Sequence, residues 1–133
     1  MNDFDAIVIG AGFGGLYAVL RLRDALGLSV RGFDGAGGVG GTWWHNRYPG
    51  ARVDAPSAPF YGYTFSKELV DEWDWKETQS TSADVLAYID HVADRFDLRK
   101  DIQFETLITS ATFDEKESLW TVTTDKGQKI SGR

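Results

Sequence analysis

The 133-residue chain sets 14 Lys and Arg against 20 Asp and Glu, a net charge of −6. That balance argues against nucleic acid as a partner, since a phosphate backbone needs a basic face. With no cysteine there are no disulfides or thiolate metal sites. Apolar and charged fractions of 42% and 26% belong to an ordered domain, and the length allows one domain with a real core.

The opening Met1-Asn2-Asp3 lacks the basic region of a signal peptide. The uncharged run from Ala6 to Leu20 is too short, and too interrupted by glycine, to span a bilayer. The expectation is a soluble, cytoplasmic protein without a membrane partner. Ala6 to Ile9 reads as a buried parallel strand. It runs into Gly10-Ala11-Gly12-Phe13-Gly14-Gly15 and then an apolar helix from about Gly14 to Leu26, with Gly27 placed as its left-handed cap.

This is G-x-G-x-x-G between a strand and a helix, the context in which it binds dinucleotides. Gly10 permits the tight turn, Gly12 lets a pyrophosphate approach the backbone, and Gly15 lets helix and strand pack closely. The free N–H groups and the positive dipole end of the helix face the phosphates. A second strand, Leu28 to Phe33, ends in Asp34, whose carboxylate accepts from ribose hydroxyls and repels a 2′-phosphate. The site therefore suits the ADP half of FAD or NAD rather than NADP. A purely structural turn, with Asp34 a solvated loop residue, is the plain alternative.

From Gly35 to about Ser66 the sequence predicts a long irregular segment holding all three prolines. Half of the chain's aromatic residues fall between Trp43 and Trp75. A loop of that length is functional or disordered, and its aromatic content argues against disorder. It is either a wall around a flat cofactor or an aromatic mini-core. Lys67 to Trp75 reads as a short helix. Thr81-x-x-Asp84 resembles a capping box opening a stronger helix, Ala83 to Phe96. Val85, Ile89, Val92 and Phe96 recur there at helical spacing, with Asp84, Asp90, His91 and Asp94 turned outward.

Ile102 to Leu107 reads as a third parallel strand. Thr109–Phe113, Leu119–Thr124 and Gln128–Ile130 form an antiparallel meander turned by Asp125-Lys126-Gly127. The fold class is α/β: a partial Rossmann-like FAD-binding domain with parallel strands and helices, plus the meander. Only one half of a doubly wound sheet is found, which leaves the first strand open on one side. The expectation is an amino-terminal half-domain, residues 1–133, of a longer protein.

Gly40-Gly41-Thr42-Trp43-Trp44-His45-Asn46-Arg47-Tyr48-Pro49-Gly50-Ala51-Arg52-Val53-Asp54 resembles a segment of the Baeyer–Villiger monooxygenases, FAD- and NADPH-dependent enzymes that turn ketones into esters or lactones. The similarity extends through Tyr61 to Phe65, Glu72 to Trp75, Val92 to Leu98 and Trp120 to Val122. The resemblance implies that Gly10, Gly12, Phe13, Gly14 and Gly15 line the FAD pyrophosphate, and that Asp34 stands where the family usually has glutamate on the adenosine ribose. It implies that Gly41, Thr42, Trp43 and Trp44 follow the ribityl and ring portions of the flavin, with Arg52 in the same cofactor-binding stretch. Asp54 would sit beside the flavin as the catalytic carboxylate, Tyr61 would add a hydroxyl, and Ile108 would offer its backbone to adenine. Between Asp54 and Tyr61 the chain is one residue longer than the family pattern.

Oxygen transfer needs a site shielded from water and a positive charge. In the family a downstream arginine supplies the charge, oriented by the aspartate that Asp54 matches, and it lies beyond this stretch with the NADPH site. The substrates implied are a small-molecule ketone and O2. Two other readings stay open: a flavin monooxygenase acting on nitrogen or sulfur, and a non-catalytic dinucleotide-binding module. Asp54 also reads simply as a turn-stabilising carboxylate after Arg52.

Overall fold

The computed structural model describes residues 1–133. Strands β1 (Ala6–Ile9), β2 (Val30–Phe33) and β3 (Ile102–Gln103) form a parallel sheet in that order. Ala6 stands opposite Val30 and Gly32 opposite Ile102. Between β1 and β2 runs α1, Phe13–Leu20. Its last turn widens to π geometry over Arg21–Ala25 before Gly27, at φ +66, reverses the chain. The expected helix and its glycine cap are therefore present, in two registers rather than one.

The aromatic segment holds two short helical turns, α2 (Thr42–His45) and α3 (Ser57–Phe60), followed by α4 (Lys67–Glu72). The helix expected to reach Trp75 stops at Glu72, where Trp73 takes extended backbone. The long helix α5, Ser82–Arg95, opens on Thr81, whose hydroxyl accepts from the Asp84 N–H at 3.2 Å. Its core face is Val85, Tyr88, Ile89 and Val92. Phe96 is only partly buried, and Tyr88 takes the enclosed position. Asp90 and Asp94 face Arg99, as outward residues do. His91 does not: it is half-buried, tilted against Trp73 at 5.3 Å and 3.4 Å from Glu72.

Leu16, Val19 and Leu20 of α1 join that face and Val8, Val30 and Ile102 of the sheet in one core. The third strand is shorter than its sequence suggests. After Gln103 the chain bends through Glu105, at φ +50, and folds over the loop that follows β2. An antiparallel sheet then forms from β4 (Ile108–Asp114), β5 (Leu119–Thr124) and β6 (Lys129–Gly132). It is joined to the first sheet by a small cluster of Phe33, Val122 and Ile130 and by a parallel bridge between Phe4 and Gly132.

β1 lies at the edge of its sheet, so only Val8 is fully enclosed while Ile9 is 59% exposed. The expectation of a strand buried on both faces fails for that reason. A groove of about 380 Å³ beside it is lined by Ile7, Ile9, Trp120 and Val122. No helix is long and apolar enough to cross a membrane.

Arg23 closes the architecture. The π turn aims its guanidinium at the end of α5. There it donates to the carbonyls of Phe96 (2.7 Å) and Asp97 (2.8 Å) and to the carboxylates of Asp24 and Asp101. All five donors of the fork are used, and the paired carboxylates hold its pKa above the ordinary arginine value. Arg23→Met keeps the stem and leaves the carbonyls unmet. The expected loss is about 2 kcal/mol, measurable as a lower urea midpoint.

Candidate functional site

The site is built where β1 hands over to α1. Gly10 turns at φ +104 while its N–H donates to the Phe33 carbonyl at 2.8 Å, which ties the turn to β2. Gly12 is the N-cap of α1. No side chain caps that end, and no acidic residue sits in the first turn. The first-turn N–H groups of a helix have no intrahelical acceptors, so they offer an anion both donors and the positive dipole end. Gly15 packs so tightly that a Cβ there would lie 1.8 Å from the Gly10 oxygen.

The second glycine segment comes to meet the first. Gly40 donates to the Ala11 carbonyl at 3.0 Å. A Cβ on Gly12 would sit 3.4 Å from the Gly41 Cα, and one on Gly41 only 3.0 Å from the Gly12 Cα. The two glycines thus face each other backbone to backbone, in a cradle that side chains would fill. Directly after Gly41, α2 presents exposed Thr42 and buries Trp43. Trp43 is edge-on to Tyr61 at 5.9 Å, and Tyr61 is edge-on to Phe13 at 6.3 Å. Trp44 lies over Gly37 and Gly38, where a Cβ on Gly38 would come within 2.5 Å of its ring. The Arg47 guanidinium lies over the same ring at 4.3 Å. The Trp44 indole thus occupies the space that a side chain at Gly38 would need.

Asp34 sits half-buried at the end of β2 and is already engaged. One carboxylate oxygen accepts from the Ala11 N–H at 2.7 Å and the other from the Ala36 N–H at 2.8 Å. A carboxylate has about four lone-pair sites, so each oxygen keeps one for a ribose hydroxyl. The Thr106 N–H donates to the Asp34 carbonyl and the Glu105 N–H to that of Ala36. These bonds bring the segment leading into Ile108, the first residue of β4, alongside the same loop.

Arg52 and Asp54 make no hydrogen bond to this assembly. Val53 donates to Ser80, and Ser82 donates to Ala51, which lays the stretch along the approach to α5. The Arg52 guanidinium is taken by Glu77 and the Gln79 carbonyl, so it does not stabilise Asp54. The Asp54 side chain is exposed and makes no hydrogen bond or ion pair within the chain. The turn-stabilising role is therefore excluded for its carboxylate.

Several participants escape a reading of residue types. Ala11 and Ala36 act through backbone N–H groups, which every residue but proline carries. Tyr63, two residues after Tyr61, donates its hydroxyl to the Phe13 carbonyl; it lies in the Tyr61 to Phe65 stretch of similarity, but no residue pattern gives it that partner. Tyr88, which the helical spacing of Val85, Ile89, Val92 and Phe96 leaves out, accepts from the Tyr63 N–H at 2.8 Å.

This arrangement fits a dinucleotide, and comparison with known proteins agrees. A family model described as an NAD(P)-binding Rossmann-like domain matches residues 8–73. A Baeyer–Villiger monooxygenase of Pseudooceanicola batsensis is 51% identical over 98% of the chain, and a phenazine N-monooxygenase of Lysobacter antibioticus is 51% identical over 99%. Each match covers 24% of the relative, so the chain spans about a quarter of their length. A solved structure of oxidized steroid monooxygenase bound to NADP superposes on 97% of the chain with a TM-score of 0.94 and 54% identity, again over 24% of that protein. Over nearly its whole length the chain matches the amino-terminal part of Baeyer–Villiger monooxygenases.

Proposed function

We propose that these residues form the FAD-binding part of an NADPH-dependent monooxygenase that inserts an oxygen atom from O2 into a small-molecule ketone. The observation that carries the reading is the backbone-to-backbone meeting of Gly12 and Gly41 beneath the uncapped start of α1. A cofactor whose pyrophosphate must approach bare backbone requires such a place. The first turn of α1 binds the phosphates and Asp34 accepts from the ribose. Thr42, Trp43 and Tyr61 carry the wall onward to the flavin, and FAD when bound supplies the redox chemistry. Buried Trp43 and its aromatic neighbours exclude water there, which strengthens every electrostatic contact inside. The Asp54 carboxylate, exposed and without a hydrogen bond in this chain, is available to orient a cation from another part of the intact protein, while Ile108 lies on the adenine side. The setting is cytoplasmic.

The experiment is direct. The protein expressed from its complete coding sequence should purify with a flavin absorbance and consume NADPH in step with a cyclic ketone, yielding a lactone. Nitrogen oxygenation is the second reading, favoured by the equal identity of the phenazine N-monooxygenase; turnover of a phenazine but no ketone establishes it. Residues 1–133 alone supply the FAD half-site without turnover, so ketone-dependent NADPH oxidation by them overturns that assignment. A colourless preparation with affinity for NAD identifies a non-catalytic dinucleotide module instead.

A further inference from the structure

Beside the glycine turn an aromatic cluster encloses a short polar relay. The Phe13 ring packs against Tyr63 at 5.2 Å, Tyr88 at 6.2 Å and Tyr61 at 6.3 Å. Within that cluster the Tyr63 N–H donates to the Tyr88 hydroxyl at 2.8 Å, which anchors Tyr63 to the core face of α5. The Tyr63 hydroxyl in turn donates to the Phe13 carbonyl, in the first turn of α1. Burial, with Tyr88 alongside, pushes the Tyr63 phenol above its ordinary range. It therefore stays a protonated donor throughout the physiological range.

The carbonyl it holds is half of a peptide unit whose other half is the Gly14 N–H. That unit is planar and trans, so its C=O and N–H point in opposite directions and move together. An oxygen held on one side of the peptide unit fixes the direction of the N–H on the other. The restraint matters here because Gly14 and Gly15 have no Cβ to limit backbone rotation. Gly14 also has open space before it, with no atom within 4 Å of a built Cβ.

We propose that Tyr63 is a positioning residue for the dinucleotide pyrophosphate: its hydroxyl fixes the Phe13–Gly14 peptide plane and thereby directs the Gly14 N–H at the phosphate. This rests on the FAD reading above, and it gives the Tyr61-x-Tyr63 pair divided roles. Tyr61 faces Trp43 along the wall, while Tyr63 works through the Phe13 carbonyl. Tyr88 supports it at one remove.

The test is Tyr63→Phe in the flavin-loaded protein, a change that keeps the ring packing and removes one donor. The expected result is a five- to twentyfold weaker FAD dissociation constant and a shifted ³¹P resonance of the bound pyrophosphate. In the flavin-free protein the Gly14 amide resonance should move, with the urea midpoint nearly unchanged. Tyr88→Phe, which removes the acceptor of the Tyr63 N–H, should move the same signals less and in the same direction. It serves as the test if Tyr63→Phe does not fold. Unchanged ³¹P and Gly14 resonances overturn the proposal, even if stability falls, since that is a packing role only. A wild-type protein that binds no FAD overturns the cofactor reading and this proposal with it. FAD-binding wild type with an unaltered Tyr63→Phe overturns the positioning role alone.

Discussion

Gly15→Ala is expected to abolish flavin binding and to destabilise the flavin-free fold by more than about 3 kcal/mol. The added methyl would lie 1.8 Å from the Gly10 oxygen and 2.7 Å from the Gly10 carbonyl carbon. Carbon contacts are comfortable near about 3.5 Å, so the turn must retreat by more than an ångström. It has nowhere to go. Gly10 is fixed by its bond to Phe33, and movement there pulls β1 against β2 and takes the α1 start away from Gly41. Gly14→Ala is the internal control. It meets nothing within 4 Å, and exchanging glycine for alanine inside a helix is worth up to about 1 kcal/mol in its favour. Urea denaturation and flavin absorbance should therefore separate two neighbouring, chemically identical substitutions completely. Equal midpoints for the pair would show that close packing at Gly15 does not shape the turn.

Much of this was legible because local rules and tertiary demands coincide around β1 and α1. Strand, glycine turn, helix and acidic end of β2 follow one another in a spacing that only a few geometries satisfy. Thr81 and Asp84 announce the start of α5 by the same economy. What resisted reading were features set by long-range partners. The third strand stops after Gln103 because Glu105 and Thr106 donate to the loop beyond β2, and no local propensity encodes that bond. The π turn at Arg21–Ala25 answers to carbonyls at the end of α5, more than seventy residues on. His91 looked like a solvated helix residue until Trp73 and Glu72 folded over it. In the candidate site, Gly12 and Asp34 were visible as residue types. Gly41, which meets Gly12, lay in the stretch that carries the family resemblance, whereas Ala11 and Ala36 meet Asp34 through backbone, where side-chain identity is silent.

Asp34→Ala is expected to weaken FAD binding about a hundredfold, equivalent to about 3 kcal/mol, and to cost the flavin-free protein about 2 kcal/mol. The two losses have different origins. In the folded chain the carboxylate joins three places, the end of β2, Ala11 inside the glycine turn and Ala36 in the next loop. Hydrogen bonds from backbone N–H to an ionised carboxylate are about twice as strong as neutral ones, and their loss leaves two donors pointing at nothing. That accounts for the stability term. The binding term is larger because the same change loosens Ala11, between Gly10 and Gly12, and removes the acceptor for the ribose. Asp34→Asn separates the contributions. Its amide can still accept from one of the two N–H groups, but it sets an NH2 against the other, so the lacing is half lost while shape is kept. If lacing governs affinity, the asparagine variant falls close to alanine. If the ribose contact governs it, asparagine, which still has a carbonyl and an amide to offer hydroxyls, falls within a few-fold of wild type. Isothermal titration of FAD into each flavin-free variant reads the difference. Affinity within threefold of wild type for Asp34→Ala would remove Asp34 from the site altogether, since neither role could then be real.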